Sequence, residues 1–312
     1  RKGSVFLTDS RYIEDAKNKV SCCEVAELTD AKKELVEYCK KFKCRSLGIE
    51  GGRLTVNELW YFRKILKGIF LTAGNTDKYI DTLRMVKRED EIKNIIKAQR
   101  ISEAAFDHIL GFIKEGVTEK EIALQLDFFM LSHGAQTLSF DTIAISGENT
   151  SKPHGVPTDK KINHGDFITM DYGAVYNGYH SDMTRTVAVG RVSDEQIKIY
   201  NTVLEAQLKA LSVLKEGVPC KDGDKAARDV ISNAGYGDYF RHSTGHGVGV
   251  EIHEKPNLSP KSEMILKRGN IVTVEPGIYI PGKFGVRIED MALITETGYE
   301  NLTSTEKELT IL

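Results

Sequence analysis

The 312-residue sequence has little net charge and no long apolar run. Its 43 basic and 45 acidic side chains give a formal charge of −2, which gives no indication of binding to nucleic acids or to anionic membranes. No apolar stretch approaches the roughly 20 residues that a membrane-spanning helix requires. We therefore expect neither a nucleic acid nor a membrane among the partners of this protein.

Cysteine is also scarce, and its spacing lacks the repeated pairs of a zinc or disulfide framework. The cysteines are odd in number and mostly clustered early in the chain: Cys22, Cys23, Cys39, Cys44 and Cys220. Reduced thiols in a cytoplasmic protein are the interpretation that this pattern favours. The chain opens at Arg1 rather than at a methionine, so the sequence does not show whether a signal peptide precedes it.

The first part of the chain has the rhythm of a small α/β domain. Apolar runs at 5–7 and 47–49 predict strands, and amphipathic patterns at 30–42 and 56–66 predict helices. Because the pattern begins partway through, we expect this domain to be truncated at its start. Turn residues at 74–77 favour a boundary, which gives a first domain at 1–80 and a second at 81–312.

The second part contains an internal repeat of two helices followed by three strands. In the first copy the helices are predicted at 87–116 and 118–133 and the strands at 140–146, 166–174 and 180–189. In the second copy the helices are predicted at 193–215 and 221–234 and the strands at 247–252, 270–280 and 285–294. This order predicts an α+β domain of duplicated ααβββ halves, whose sheets face each other with a site between them.

The stretch 167–185, FITMDYGAVYNGYHSDMTR, is predicted to form a strand pair that carries Asp171 and Asp182. By itself it could be a solvent-facing hairpin with acids on its polar edge. The aligned stretch of the second copy, however, has Glu275 and Glu289 at equivalent positions. Four buried carboxylates in one site would repel each other strongly unless cations pair with them. The repeat therefore predicts a centre for two divalent metal ions.

One histidine stands out as a ligand to accompany these acids. His246 lies in HSTGHGVG, where the flanking glycines allow neighbouring groups to come close. A lone histidine beside glycines is more often a turn residue, but the four acids favour a ligand here. Carboxylates with an imidazole suit Mn²⁺, Co²⁺ or Zn²⁺.

Five motifs of residues 80–312 resemble those of the metallopeptidase family that contains methionine aminopeptidases, Xaa-Pro aminopeptidases and prolidases, known for the pita-bread fold. They are MDYGA, SDMTRT, STGHGVG, VEPGIY and VRIEDM. The resemblance implies that Asp171 holds one metal ion, that His246 and Glu275 hold the other, and that Asp182 and Glu289 bridge the two. It also implies two divalent ions, with Mn²⁺ the first expectation.

The same resemblance implies roles for residues beyond the metal ligands. His154 and His253 match the substrate-facing histidines of the family, which would hydrogen-bond the substrate carbonyl and the tetrahedral oxyanion. Glu275 would also accept a proton from the attacking water. His242 and Arg287 match residues of the Xaa-Pro branch, although Arg287 could simply form a salt bridge with an acid of the site.

The first domain, with TDSRY at 8–12 and LGIEGGRLT at 47–55, resembles the creatinase-type domain of Xaa-Pro aminopeptidases and prolidases. This favours an Xaa-Pro aminopeptidase, with prolidase as the alternative and a non-enzymatic binding protein as a remote one. The family resemblance also implies a homodimer or higher oligomer. Proline in the substrate requires an apolar wall, for which Tyr172, Tyr179 and the region of His242 are candidates.

Overall fold

The computed structural model describes residues 3–312, which divide after Ile80 into two compact units. The first unit is α/β, as the sequence predicted. Its elements are β1 (Val5–Thr8), α1 (Ile13–Lys19), β2 (Glu24–Glu27), α2 (Ala31–Lys41), β3 (Ser46–Gly48), α3 (Val56–Ile65) and β4 (Phe70–Thr72). Strands β1 and β2 pair in parallel, as do β3 and β4. Each pair therefore encloses a helical crossover.

The sequence analysis missed α1, β2 and β4, and it was wrong about the turn at 74–77. Helix α4 (Asn75–Met85) begins there and runs past the division after Ile80. Asn, Thr and Asp are favoured in turns and also at the start of a helix, so this stretch fits both. All five cysteines are free thiols. Among the described residues, no helix is both long and apolar enough to cross a membrane.

The second unit has the duplicated order that the sequence predicted. Its first half consists of α5 (Glu89–Leu110), α6 (Glu119–Ser132), β5 (Thr137–Leu138), β6 (Ile143–Ser146), β7 (Phe167–Tyr172), β8 (Ala174–Tyr176), β9 (Tyr179–His180) and β10 (Met183–Ala188). Its second half consists of α7 (Asp194–Val213), α8 (Cys220–Asn233), β11 (Gly245–Gly247), β12 (Glu254–Leu258), β13 (Ile271–Val274), β14 (Gly277–Ile280), β15 (Phe284–Arg287), β16 (Asp290–Ile294) and β17 (Tyr299–Asn301).

The strand pairing repeats as well. In the first half β7 pairs antiparallel with β10. The short strands β8 and β9, which lie between these two in the sequence, pair with each other. In the second half β13 pairs antiparallel with β16, and β14 pairs with β15. Each half has its own large apolar core of helices packed on its sheet, and a smaller cluster packs Ile95 of α5 against Ile271 and Met291 of the second half. The predicted α+β architecture of two similar antiparallel halves is confirmed.

Three strand predictions in the second half were wrong in detail. The strand predicted at 247–252 is a loop except for Gly247, which ends β11; the chain bends at 249–253, and this brings Glu254 close to Gly249. The strand predicted at 270–280 is broken at Pro276, which lacks the N–H that a continuous ladder needs. The strand predicted at 285–294 is likewise split, and Glu289 lies in the break.

The two halves meet along β10 and the β15–β16 segment. The N–H of Glu289 donates to the carbonyl of Thr184 across 3.2 Å. Arg185, which is 1% exposed, donates to Asp290 Oδ1 at 2.8 Å and to the carbonyl of Thr305 at 2.8 Å. The junction therefore lies beside two of the predicted metal ligands, and a buried ion pair joins the strands there.

Breaking this ion pair is expected to destabilise the protein strongly. Arg185→Met leaves Asp290 without one of its buried partners, so the free energy of unfolding should fall by about 3–5 kcal/mol. Urea unfolding followed by circular dichroism measures this. Lys283→Met is the matched control, because Lys283 pairs with Glu195 on the surface and its loss should cost less than about 1 kcal/mol. Equal losses in the two variants would contradict the assignment.

Candidate metal centre

The predicted metal ligands lie where the two halves meet. Asp171 is on β7, and Asp182 directly precedes β10. In the second half, Glu275 directly follows β13 and Glu289 directly precedes β16, while His246 is the central residue of β11. Because β7 pairs with β10 and β13 pairs with β16, each pairing places two acids at one end of its sheet.

Three of these side chains are close enough to share one cation. One ligand atom each from Asp182, His246 and Glu289 lies within 4.8 Å of the others. The Nε2 atom of His246 is also 3.4 Å from Glu275 Oε1 and 3.5 Å from Asp182 Oδ2. The structure therefore brings together the residues that the sequence predicted from separate motifs.

Burial and mutual repulsion disfavour the ionised forms of these acids. Burial raises the pKa of Asp182 well above its usual range, and the charges of Asp171 and Glu275 raise it further. Burial also raises the pKa of Glu289, with Asp182 adding to the effect, and raises the pKa of Glu275 to about 8. Without a cation, Glu275 would hold a proton at neutral pH, and the ionised forms of Asp182 and Glu289 are also disfavoured.

The tautomer of His246 leaves a lone pair directed at the acids. Its Nδ1 lies 3.1 Å from the carbonyl oxygen of Gly247, which can only accept, so Nδ1 carries the proton. Burial lowers the pKa of His246 to about 4, so the ring is neutral near pH 7. Its bare Nε2 then faces the carboxylate oxygens of Asp182 and Glu275, an arrangement that requires a proton or a metal ion between them.

The two carboxylate oxygens of Asp171 differ in their surroundings. Its Oδ2 accepts a hydrogen bond from Arg287 Nη2 at 2.6 Å, but its buried Oδ1 has no hydrogen-bond partner. A buried carboxylate oxygen without a donor is costly, and a cation would remove that cost. The donor set thus fits divalent metal ions, and we propose as ligands Asp171, Asp182, His246, Glu275 and Glu289.

Two threonines that the sequence analysis missed hold the ligands in place. Thr184 Oγ1 donates to Glu289 Oε2 at 2.7 Å, and Thr273 Oγ1 donates to Glu275 Oε1 at 3.2 Å. Thr273 Oγ1 also accepts from the N–H of His246. Each threonine is two residues from an acid, and alternate residues of a strand share a face. That spacing was the available signal.

The acids lie at one side of a cavity of about 490 Å³. The other predicted site residues, His154, His242, His253 and Arg287, also line it. The ring centroids of His253 and His246 are 4.3 Å apart. Tyr172 and Tyr179 do not line this cavity: the first is buried and donates to the carbonyl of Ser102, and the second donates to Glu91. They are not the proline wall.

Arg287 and His242 are connected through Tyr279, which the sequence analysis did not select. His242 Nδ1 faces the carbonyl of Ser243 and so carries the proton, which leaves Nε2 to accept from the Tyr279 hydroxyl at 2.9 Å. Arg287 Nη1 donates to the same hydroxyl oxygen at 2.9 Å. Arg287 therefore forms the predicted salt bridge with Asp171 and also orients a wall of the cavity.

The raised carboxylate pKa values predict how stability depends on pH. The folded, metal-free protein binds a proton at Glu275 more tightly than the unfolded chain does, because the pKa rises from 4.5 to about 8. This contribution to stability is complete below pH 4.5 and is lost as the pH rises through about 8. Saturating Mn²⁺ should therefore raise Tm more at about pH 8 than at about pH 5. Calorimetry of the EDTA-treated protein checks this, and an equal rise at both pH values would contradict it.

Removal of a ligand should abolish metal binding and leave the fold intact. Asp182→Ala and His246→Ala are each expected to weaken binding of Mn²⁺, Co²⁺ or Zn²⁺ more than about 100-fold by isothermal titration calorimetry. Metal-free Asp182→Ala should be at least as stable as the metal-free wild type, because it lacks one repelling acid. His108→Ala, on the exposed face of α5, is the control. Unchanged metal affinity in either ligand variant would disprove the assignment.

Comparison with known proteins agrees with these observations. Residues 93–296 match the Metallopeptidase family M24, and residues 1–86 match the Creatinase/Prolidase N-terminal domain. The Xaa-Pro dipeptidase of Pyrococcus furiosus is 46% identical over 276 residues, which cover 88% of this chain and 78% of that protein.

Solved structures give the same result. The Xaa-Pro dipeptidase from Bacillus anthracis is 44% identical with a TM-score of 0.94, and the match covers 98% of this chain and 86% of that one. The X-Pro aminopeptidase from Thermotoga maritima is 38% identical with a TM-score of 0.92, covering 99% and 87%. The predicted family and pita-bread fold are confirmed: this chain belongs to the Metallopeptidase family M24 and carries a Creatinase/Prolidase N-terminal domain.

Proposed function

We propose that this metallopeptidase is an Xaa-Pro dipeptidase, which hydrolyses the bond between any residue X and proline in a dipeptide. The observation that carries the proposal is the likeness to proteins named Xaa-Pro dipeptidase, at 46% and 44% identity. The sequence analysis preferred an Xaa-Pro aminopeptidase, with the dipeptidase as its alternative. The relatives favour the dipeptidase. The similarity to an X-Pro aminopeptidase, at 38% identity, makes aminopeptidase activity the second candidate.

The five proposed ligands would hold two divalent ions, which supply Lewis acidity and a water that is easily deprotonated at neutral pH. Mn²⁺ is our first choice, with Co²⁺ and Zn²⁺ as alternatives. Around that chemistry, Glu275 is the candidate proton carrier. Its Oε1 is fixed by Thr273 while it lies on the cavity wall, so it can take a proton on the substrate side and return it to the leaving nitrogen.

We propose that His154 and His253 bind the reacting carbonyl. Both side chains are exposed and both line the cavity, so a substrate can reach their ring nitrogens. An N–H from each ring can donate to an oxygen that gains negative charge in the transition state, and such donors stabilise the transition state more than the substrate. We propose both as catalytic residues.

The cavity also contains a feature that suits a dipeptide. Of the described residues that line it, Arg287 is the one Arg or Lys, and its guanidinium is almost completely buried. The terminal carboxylate of an X-Pro dipeptide would lie inside the cavity and require a cation, whereas the corresponding group of a longer peptide is a neutral amide. His242 also lines the cavity, and Tyr279 joins it to Arg287 by accepting a hydrogen bond from Arg287 and donating one to His242.

The apolar wall for the proline ring comes from other residues than the sequence suggested. Phe140, Ile143 and Ile252 line the cavity together with the proposed catalytic groups. A proline ring has no N–H to satisfy, so an apolar surface can bind it without leaving a polar group unpaired. We propose that these three side chains provide that surface.

Three matched substrates test the proposal on the Mn²⁺-loaded protein. Gly-Pro has a free carboxylate, Gly-Pro amide has the same size without the charge, and Gly-Pro-Gly is longer. We expect kcat/KM for Gly-Pro to exceed that for the amide by roughly tenfold or more, since a buried charged pair is worth at least ~1.4 kcal/mol. Faster cleavage of Gly-Pro-Gly would select the aminopeptidase. No cleavage of any of them would disprove the Xaa-Pro assignment.

A further inference from the structure

His154 is held in the cavity wall by its loop rather than by its own side chain. The ring is exposed, so packing does not fix it, and the residue lies in the long connection between β6 and β7. The part of this connection at 146–158 includes the three-ten helix Gly147–Ser151 and the turn that carries His154. The position of the ring therefore depends on what anchors that backbone.

Glu119, the first residue of α6, accepts hydrogen bonds from both ends of this segment. Its Oε1 accepts hydrogen bonds from the N–H of Ser146 at 2.7 Å, the hydroxyl of Ser146 at 3.0 Å and the amide of Asn149 at 3.0 Å. Its Oε2 accepts from the N–H of Thr158 at 2.9 Å and from the hydroxyl of Thr158 at 2.7 Å. One carboxylate thus joins the two ends of a loop that spans His154.

Glu119 has no contact with the cavity and is 0% exposed. Burial alone would raise the pKa of Glu119, but the hydrogen bonds from Asn149, Thr158 and Ser146 outweigh it and leave the pKa below its ordinary value. The group is therefore a carboxylate whose partners are all donors, and charge-assisted bonds of this kind are stronger than neutral ones. Its position in the first turn of α6 adds to their stability.

The opposite side of the loop is held by the second half of the domain. The N–H of Gly285 donates to Thr150 Oγ1 at 2.8 Å, and Arg287 Nη1 donates to the carbonyl of Pro153 at 3.1 Å. The segment is thus fixed from both halves. On the first-half side Glu119 accepts five hydrogen bonds from it, Lys160 Nζ donates to Ser146 Oγ at 2.9 Å, and the N–H of Lys120 donates to the carbonyl of Thr158 at 3.2 Å.

We propose that Glu119 is a positioning residue that fixes His154 against the substrate. The proposal rests on the proposed function, because it takes His154 as the group that contacts the substrate carbonyl. Glu119 itself touches neither the proposed metal ligands nor the cavity. Its loss should therefore act on catalysis through the loop and leave metal binding unchanged.

Glu119→Gln is the test variant, since it keeps the size of the side chain. Its amide has one accepting oxygen, so whichever way it turns, its NH₂ group faces the backbone N–H of either Ser146 or Thr158. Glu121→Gln is the matched control in the same helical turn. Glu121 accepts from Thr118 in a capping box, a role that glutamine also fills, and it does not reach the loop.

The kinetic arm uses a double-mutant cycle on X-Pro cleavage. Glu119→Gln should lower kcat by roughly 10–100-fold with KM nearly unchanged, because misplacement of a catalytic group by about 1 Å has that cost. Glu121→Gln should stay within about twofold of the wild type. In a His154→Ala background the Glu119→Gln change should have almost no further effect. Full additivity, or loss of Mn²⁺ binding in Glu119→Gln, would overturn the proposal.

A second arm does not depend on activity. Hydrogen–deuterium exchange of the Mn²⁺-loaded protein should be at least about tenfold faster at 146–158 in Glu119→Gln than in Glu121→Gln, with protection of α5 and β7 unchanged. Unaltered exchange in that segment would refute the anchoring role whatever the kinetics show. If the wild type cleaved no X-Pro substrate, the proposed function would fail, and this measurement would still decide whether Glu119 fixes the loop.

Discussion

The mutual repulsion of buried carboxylates is the constraint around which the second unit is built. Asp171, Asp182, Glu275 and Glu289 come from both halves, and three of them have pKa values raised primarily by burial. A protein interior does not tolerate such a group without compensation. The Arg287 guanidinium compensates one oxygen of Asp171, and the proposed metal ions would compensate the rest of the set.

The duplicated halves bring the four acids to one site. Each half pairs two antiparallel strands so that one acid lies on or just after the first strand and another lies just before the second. Joining the halves along β10 and β15–β16 then superimposes two pairs of acids on one site. The buried Arg185, which links Thr305 and Asp290, fixes that junction one residue away from Glu289. The same contacts that hold the fold together therefore set the spacing of the ligands.

Much of this could be predicted from the sequence, and the failures have physical causes. The internal repeat identified the four acids, because their positions are set by local strand order. The stretch 247–252 was misread as a strand since its apolar residues alternate like those of a strand, and this alternation does not show the bend that brings Glu254 close to Gly249. The cavity wall of Phe140, Ile143 and Ile252 could not be predicted, because it depends on how the start of β6 and two loops converge.

The direction of the pKa shift differs between two proposed metal ligands, Asp182 and Glu289, and two buried acids that support the fold, Asp290 and Glu119. Burial acts to raise the pKa of every buried acid, yet the pKa of Asp290 is lowered, because Arg185 and Lys307 outweigh it, and that of Glu119 is lowered by hydrogen bonds from the loop. Asp182 and Glu289 are equally buried, and their pKa values are raised. Asp290 and Glu119 are each surrounded by several donors or cations, whereas Glu289 accepts a hydrogen bond from Thr184 that does not outweigh burial and the neighbouring acids. Divalent cations at the proposed centre would compensate Asp182 and Glu289, whereas Asp290 and Glu119 are compensated by groups of the chain itself.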